Sequence, residues 1–317
     1  MELLRALICF IQFRLFHKLS LGKQADDEIS LRLQANQLHR YVICMVNLLN
    51  QGRKSTKLTL CLDASLLSQL HLGRHWKPYN TSLLKSSKVR FRPKFLAKEW
   101  IECSIDYFSP EAKDETCFRI PIGVHPLFWT WRHPEVQCRD KGAFFAGDAG
   151  IAYDEFEESK WGMPSRNAAL EYLQQSGYEE IVSFRIPTEK YLEHLQDHTF
   201  FIALSGVSMP LCHSLYEAVY FQCIPLVHTN MLEHVDPYLS RILRPYAWSS
   251  LAELAQFLQN LHKVDAHDLH STRGKLKAYW DEKLNPVELT NRIQQAKKIY
   301  LCAEEKSVAL FNETSLA

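Results

Sequence analysis

One carboxylate stands in an unusual place. In "FFIALSGVSMPLCHSLYEAVYFQCIPLVH", residues 200–228, Glu217 is the single acid in a long stretch of mostly apolar sequence. The stretch reads as an apolar strand, a small-residue loop beginning at Gly206, a helix, and a second strand ended by His228. In an open parallel sheet, ligands bind beyond the carboxyl ends of the strands, which is where such a loop lies. Gly206 lets backbone approach a ligand closely. The free N–H groups and positive dipole end of the helix suit a phosphate. Glu217, one to two turns into that helix, can accept two hydrogen bonds from a pair of ribose hydroxyls. A nucleoside diphosphate fits this layout. The plainer alternative makes Glu217 part of a solvated helix face. Against it, Leu215, Ala218 and Val219 are apolar and Tyr216, Tyr220 and Phe221 are bulky. A carboxylate buried among them needs a partner.

The elements around this stretch alternate. From Lys141 onward, "AFFAGD" predicts a short buried strand and "SRNAALEYLQQSG" a helix, N-capped by Ser165 and stopped by Gly177. "EIVSF" is a strand, "TEKYLEHLQDH" a helix opened by Thr188, and "TFFIALS" and "IPLV" are strands. "SSLAELAQFLQNL" carries a capping box of Ser250 and Glu253. Strands alternating with helices of this length predict βαβ units and a parallel sheet. The first 140 residues are less regular. "SLRLQANQLHRYVICMVNLLNQG" predicts a helix ending at Gly52, and "KLTLCLDASLL" a strand ending at Asp63. "CFRIPIGVHPLFW" predicts a strand leading into a loop. "PVELTNRIQQAKKIYLCAEEKSVALF", opened by Pro286, predicts one long C-terminal helix.

Composition bounds the rest. A chain of 317 residues fits two domains or one large α/β domain. An apolar share of 46%, a charged share of 23% and a net charge of +1 describe an ordinary globular protein and give no sign of a nucleic-acid partner. The nine cysteines are scattered and form no C-x-x-C pair, which predicts reduced thiols rather than a zinc site or a disulfide framework. The N-terminal "MELLRALICFIQFRLFHKLSLGK" is interrupted by Glu2, Arg5, Gln12 and Arg14, so it predicts a buried or membrane-surface helix, not a spanning one.

"CHSLYEAVYFQCIPLVH" resembles the core motif of the exostosin-like glycosyltransferases, in which a Ser-x-Arg-x-x-Glu-Ala segment leads to Gly-Cys-Ile-Pro-Val. The resemblance covers about residues 141–262. It implies an α/β GT-B fold, in which two Rossmann-type domains with parallel sheets face each other across a cleft. On that basis the chain divides into an acceptor-side domain, 1–140, a nucleotide-sugar-binding domain, 141–285, and a C-terminal helix, 286–317, returning to the first domain. Glu217 matches the family glutamate expected on the ribose, and Ala218, Cys223, Ile224 and Pro225 match the packing frame. The family arginine, however, falls on Ser214, its serine on Cys212 and its glycine on Gln222. The diphosphate cation must then come from elsewhere: Arg166, Arg185, His213 or His228.

The resemblance implies transfer of a sugar from a UDP- or GDP-linked donor to a hydroxyl of a glycan or lipid-linked glycan, as in polysaccharide assembly. An inverting transfer needs a base, and Asp63, Asp106 and His125 are the candidates; each fits a cap, turn or linker position equally well. No Asp-x-Asp occurs, so no metal and no cofactor is expected. The basic run "KSSKVRFRPKFLAK" fits either a charged edge strand or a contact with lipid phosphates. The expected setting is cytoplasmic, with peripheral membrane contact through the N-terminal helix or residues 85–98. The competing expectation is a degenerate GT-B-fold binding or scaffold subunit, supported by the absent arginine.

Overall fold

Apolar runs too continuous for a half-exposed strand dominate the second half of the chain, and each becomes a parallel strand covered on both faces. The computed structural model describes residues 28–33, 57–62, 89–93, 101–105, 117–120, 139, 141–147, 162–184, 186–205, 211–285 and 298–301. The chain divides into two compact units: Met1–Pro126 with Lys283–Ala317, and Leu127–Glu282. Among the described residues, no helix is long and apolar enough to cross a membrane.

The first unit carries a six-stranded parallel sheet. Its strands are β1 (Glu28–Leu33), β2 (Lys57–Leu62), β3 (Val89–Pro93), β4 (Ile101–Ile105) and β5 (Cys117–Ile120), with β11 (Lys298–Leu301) from the far end of the chain. Their order is β3-β2-β1-β4-β11-β5. The basic run supplies β3, which lies at an edge and pairs with β2 alone, the position where charge and a proline discourage further pairing.

Two sequence expectations are corrected here. Ser30–Leu33 is strand, not the start of a helix, because it pairs in parallel with β2, Leu31 opposite Leu60, and with β4, Leu31 opposite Ile101, and these distant partners override local helical spacing. The long C-terminal helix does not run through Lys298–Leu301, which is strand. There "KIYL" takes a parallel slot, Ile299 opposite Cys103 of β4 and Phe118 of β5, and the slot overrides local helical spacing.

The second unit is a five-stranded parallel sheet. Its elements run β6 (Lys141–Gly147), α1 (Arg166–Gln175), β7 (Val182–Phe184), α2 (Thr188–Asp197), β8 (His198–Ala203), α3 (His213–Phe221) and β9 (Ile224–His228). Then follow α4 (Pro237–Leu243), the two-residue β10 (Ala247–Trp248), α5 (Leu251–Gln259) and α6 (Ala266–Tyr279). The strand order is β10-β9-β8-β6-β7. The chain therefore steps from β6 to β7 in one direction and from β8 onward in the other. The reversal lies between β6 and β8, and doubly wound sheets bind their ligands beyond the carboxyl edge at such a switch point.

The expected caps form. Ser165 Oγ accepts from the Ala168 N–H and Ser250 Oγ from the Glu253 N–H. Glu253 returns its carboxylate to Ser249, N–H and hydroxyl, one residue earlier than a standard capping box. Helix α2 starts at Thr188, with Pro187 rather than Thr188 in the capping position. α3 ends on Gln222, fully buried and left-handed at φ 56°, where the resembled motif has glycine. The backbone there closes onto Ala218 and Val219 carbonyls, a geometry that glycine adopts freely and glutamine adopts with strain.

Phe144, Phe145, Phe200, Phe201 and Ile202 form the centre of the core, all at most 3% exposed. Phe201 and Phe144 meet Tyr191 of α2 on one face, and Phe200 meets Phe257 of α5 on the other. Ala218, Cys223 and Ile224 are fully buried, as the packing frame of the motif required.

Candidate functional site

Two arginines bracket β8. At its amino end, Arg139 donates to the carbonyl oxygens of Leu195 at 2.5 Å, His198 at 2.8 Å, and Phe221. Burial lowers the pKa of this guanidinium, opposed by the nearby Cys223 thiol. Burial also pushes the Cys223 thiol up to about 12. This end of the sheet is a closed structural joint that sequence reasoning did not single out.

At the carboxyl end, Arg166 opens α1 and is only 7% exposed. It donates to the carbonyl oxygen of Leu204 at 3.5 Å and to that of Ser205, and it lies over the ring of Phe145 at 5.9 Å. The side chain thus reaches from the helix after β6 to the end of β8, across the switch point. Its charge also acts on Cys212, whose thiol burial raises and Arg166 partly restores. Ser205 is 3% exposed, and its hydroxyl has no hydrogen-bond partner among the described residues. An orphaned buried hydroxyl beside a guanidinium is an uncommon expense in a native fold.

Glu217 lies in the first turns of α3 and is 2% exposed. The helical residue points back toward its N-terminus, as geometry requires. One carboxylate oxygen, Oε2, accepts from the Tyr191 hydroxyl of α2 at 2.9 Å. The other, Oε1, lies 4.0 Å from Nε2 of His213, whose side chain is 33% exposed. Burial, and then the Glu217 charge, hold the Tyr191 phenol well above its usual range, so Tyr191 remains a donor. The partner that a buried carboxylate demands is therefore a tyrosine 26 residues earlier. No sequence spacing announces that contact, because it depends on how α2 and α3 pack.

Ser214 does not replace the missing charge. Its hydroxyl donates to Cys212 Sγ at 3.0 Å, closing the first turn of α3 on itself. His228 sits at the end of β9 and is also committed. Its Nδ1 accepts from the Asn230 N–H at 3.1 Å, its Nε2 lies 3.3 Å from the Ser249 carbonyl, and its ring meets Trp248 edge to face. Burial lowers its pKa. The neutral ring, with the proton on Nε2, satisfies both neighbours, so His228 joins β9 to β10 and does not bring a cation at neutral pH.

That arrangement carries a pH effect. A histidine whose folded pKa is depressed loses nothing while both states are neutral. As pH falls below its ordinary value of about 6.5, the unfolded chain takes up the proton first and stability drops. Thermal melts from about pH 7.5 to about pH 5 should show a fall in midpoint that is smaller in His228→Asn than in the wild type. Parallel curves for the two proteins would refute the assignment.

Arg166, Ser205, His213, Ser214, Tyr191 and Glu217 are thus brought to the carboxyl side of β6 and β8. Gly206 and Arg185, and the base candidates Asp63, Asp106 and His125, lie outside the described residues.

No protein-family model and no curated protein matches the chain. Among solved structures it is similar to a K341M mutant of the Thermobaculum terrenum O-GlcNAc transferase. The identity is 10%, the TM-score 0.38, and the match covers 91% of this chain and 72% of that one. A likeness this loose carries nothing about activity.

Proposed function

We propose that the protein is a glycosyltransferase of GT-B type that binds a nucleotide sugar at the carboxyl edge of the β6/β8 switch point and transfers the sugar to a glycan hydroxyl. The observation that carries this reading is Glu217: a buried carboxylate in the first turns of the helix after β8, beside the crevice where a doubly wound sheet takes its ligand. Glu217 would accept from the ribose hydroxyls, and the N-terminus of α3 would face the diphosphate. Arg166 would set the end of β8 and add positive charge to the edge. On this reading the acceptor and the base, from among Asp63, Asp106 and His125, belong to the first unit, and the leaving diphosphate is stabilised by helix dipoles and cations without a metal.

A second reading has its own support. Ser214 stands in place of an arginine and Glu217 already holds Tyr191. Both features suit a fold that keeps its architecture as a binding or scaffold subunit.

Thermal shift with UDP-, GDP- and CMP-linked sugars separates these from a protein with no such site. At a hundredfold excess over Kd, a ligand adds about 2.7 kcal/mol, which raises the midpoint of a unit this size by roughly 5–10 °C. Release of free sugar from the stabilising donor would mark catalysis, and stabilisation without turnover a binding subunit. If no nucleotide sugar moves the midpoint, the transferase reading falls.

A further inference from the structure

The two carboxylate oxygens of Glu217 face different neighbours. Oε2 accepts from the Tyr191 hydroxyl at 2.9 Å, where α2 packs on α3. Oε1 lies on the side of His213, 4.0 Å from Nε2 of a side chain that is 33% exposed, while the Glu217 side chain is 2% exposed. Oε1 is therefore the oxygen toward the accessible side, and Oε2 the one turned inward.

The inward anchor is itself fixed. Tyr191 closes the first turn of α2, its N–H donating to the Pro187 carbonyl at 3.0 Å. Its ring meets Phe144 of β6 and Phe201 of β8, each with centroids 6.4 Å away. Those are the two strands on either side of the switch point, and both phenylalanines are buried. The phenol, raised by burial and then by the Glu217 charge, stays a donor. A chain of contacts thus runs from the strands through a rigid ring and one hydroxyl to the carboxylate.

We propose that Tyr191 is the positioning residue for Glu217: its hydroxyl fixes Oε2, leaves Oε1 turned toward the ligand, and so lets the site read the ribose hydroxyls. The inference rests on the nucleotide-sugar reading of this site. A carboxylate oxygen has two lone pairs and only accepts, so Oε1 matches the two donors of a ribose diol. A 2′-deoxyribose lacks one of those donors. A site built around a buried hydrogen-bonding group rejects a ligand without the matching partner, because the group is left short. Rejection also requires that the group cannot turn away. A long, freely rotating glutamate would swing to another donor when the hydroxyl is missing, and would give up more rotamer freedom when it is present. Tyr191 supplies the immobility and does so from behind, without touching the ligand.

The test is calorimetry on the full chain with UDP-glucose, GDP-mannose and the 2′-deoxyribose analogue of each. The wild type should bind the ribose form of the donor it accepts about tenfold more tightly than the deoxy form, the worth of one hydrogen bond to an ionised group. Tyr191→Phe should bind the ribose form about tenfold more weakly and lose the preference for it. A tyrosine that only packs would lower the thermal midpoint and leave that preference intact. In the Glu217→Gln background, Tyr191→Phe should change Kd by less than about twofold, since a residue acting through the carboxylate has nothing left to act on. The double variant buries no unpaired charge, so it decides the matter if Tyr191→Phe alone does not fold. A ribose preference retained in Tyr191→Phe, a wild type without that preference, or a further loss of about tenfold in the double variant overturns the inference and leaves the nucleotide-sugar site standing. A wild type that binds none of these nucleotides overturns both.

Discussion

Glu217→Gln is expected to weaken binding of the stabilising nucleotide sugar by roughly a hundredfold while shifting the thermal midpoint of the free protein by only a few degrees. The side chains are nearly isosteric, and the amide oxygen can still accept from Tyr191. What is lost is charge. A hydrogen bond to an ionised group contributes about 1.5–3 kcal/mol and a neutral one about 0.5–1.5 kcal/mol. Two ribose hydroxyls therefore lose about 2.7 kcal/mol together, which is two decades of Kd. Glu217→Ala behaves differently. It strands the Tyr191 hydroxyl in the packed layer between α2 and α3, at a cost of about 1–3 kcal/mol, and opens a cavity besides. Calorimetry on the glutamine variant reads function with little change in fold, and melting of the alanine variant reads the structural share. If Glu217→Gln binds as the wild type does, Glu217 is a partner for Tyr191 and nothing more.

The largest effect on stability is expected at the opposite end of the sheet. Arg139→Met should lower the thermal midpoint by about 6–15 °C, from a loss of about 3–5 kcal/mol in a unit of this size. The guanidinium holds the carbonyl oxygens of Leu195, His198 and Phe221, which end α2, begin β8 and end α3. Methionine fills the space but donates nothing, so three carbonyls lose their donor at once. Arg139 also accepts, through its own carbonyl, from Thr199 at 3.3 Å, and Thr199 in turn receives Arg273. Because this joint is remote from the carboxyl edge, nucleotide-sugar affinity measured well below the midpoint should match the wild type. A midpoint lowered by less than about 2 °C would mean that water replaces the guanidinium without loss.

The second unit was largely legible because its central strands, β6, β8 and β9, are buried almost throughout. "AFFAGD", "TFFIALS" and "IPLV" admit few other fates, and Ser165 and Ser250 announce the helices that follow them. The order of the strands was not legible, since nothing in a sequence says that β6 pairs with β8 as well as β7. The switch point, and hence the meeting of Arg166 with Ser205, follows from that pairing. At the site, Glu217 was readable as a misplaced charge, and Ser214 as a missing one. Tyr191 was not, because one hydroxyl on an amphipathic helix has no preferred partner until the neighbouring helix is set beside it. α6 was missed for another reason: "AHDLHSTRGKLKAY" has a weak apolar stripe, and two of its four buried residues, Thr272 and Arg273, are polar. In the first unit, "SLRL" and "KIYL" are too short for periodicity to separate helix from strand. Their strand state comes from neighbours distant in the chain.

The place of β11 has a consequence for how the protein is made. Its four residues are the last described strand, yet they lie between β4 and β5, which were synthesised more than 170 residues earlier. A ribosome that has finished Glu282 has delivered the whole second unit as one continuous stretch. The first unit at that moment holds five of its six described strands and an empty lane one strand in from the β5 edge of its sheet. Two open strand edges, β4 and β5, wait through the synthesis of everything between. The unit that begins the chain is thus the one that must finish folding last.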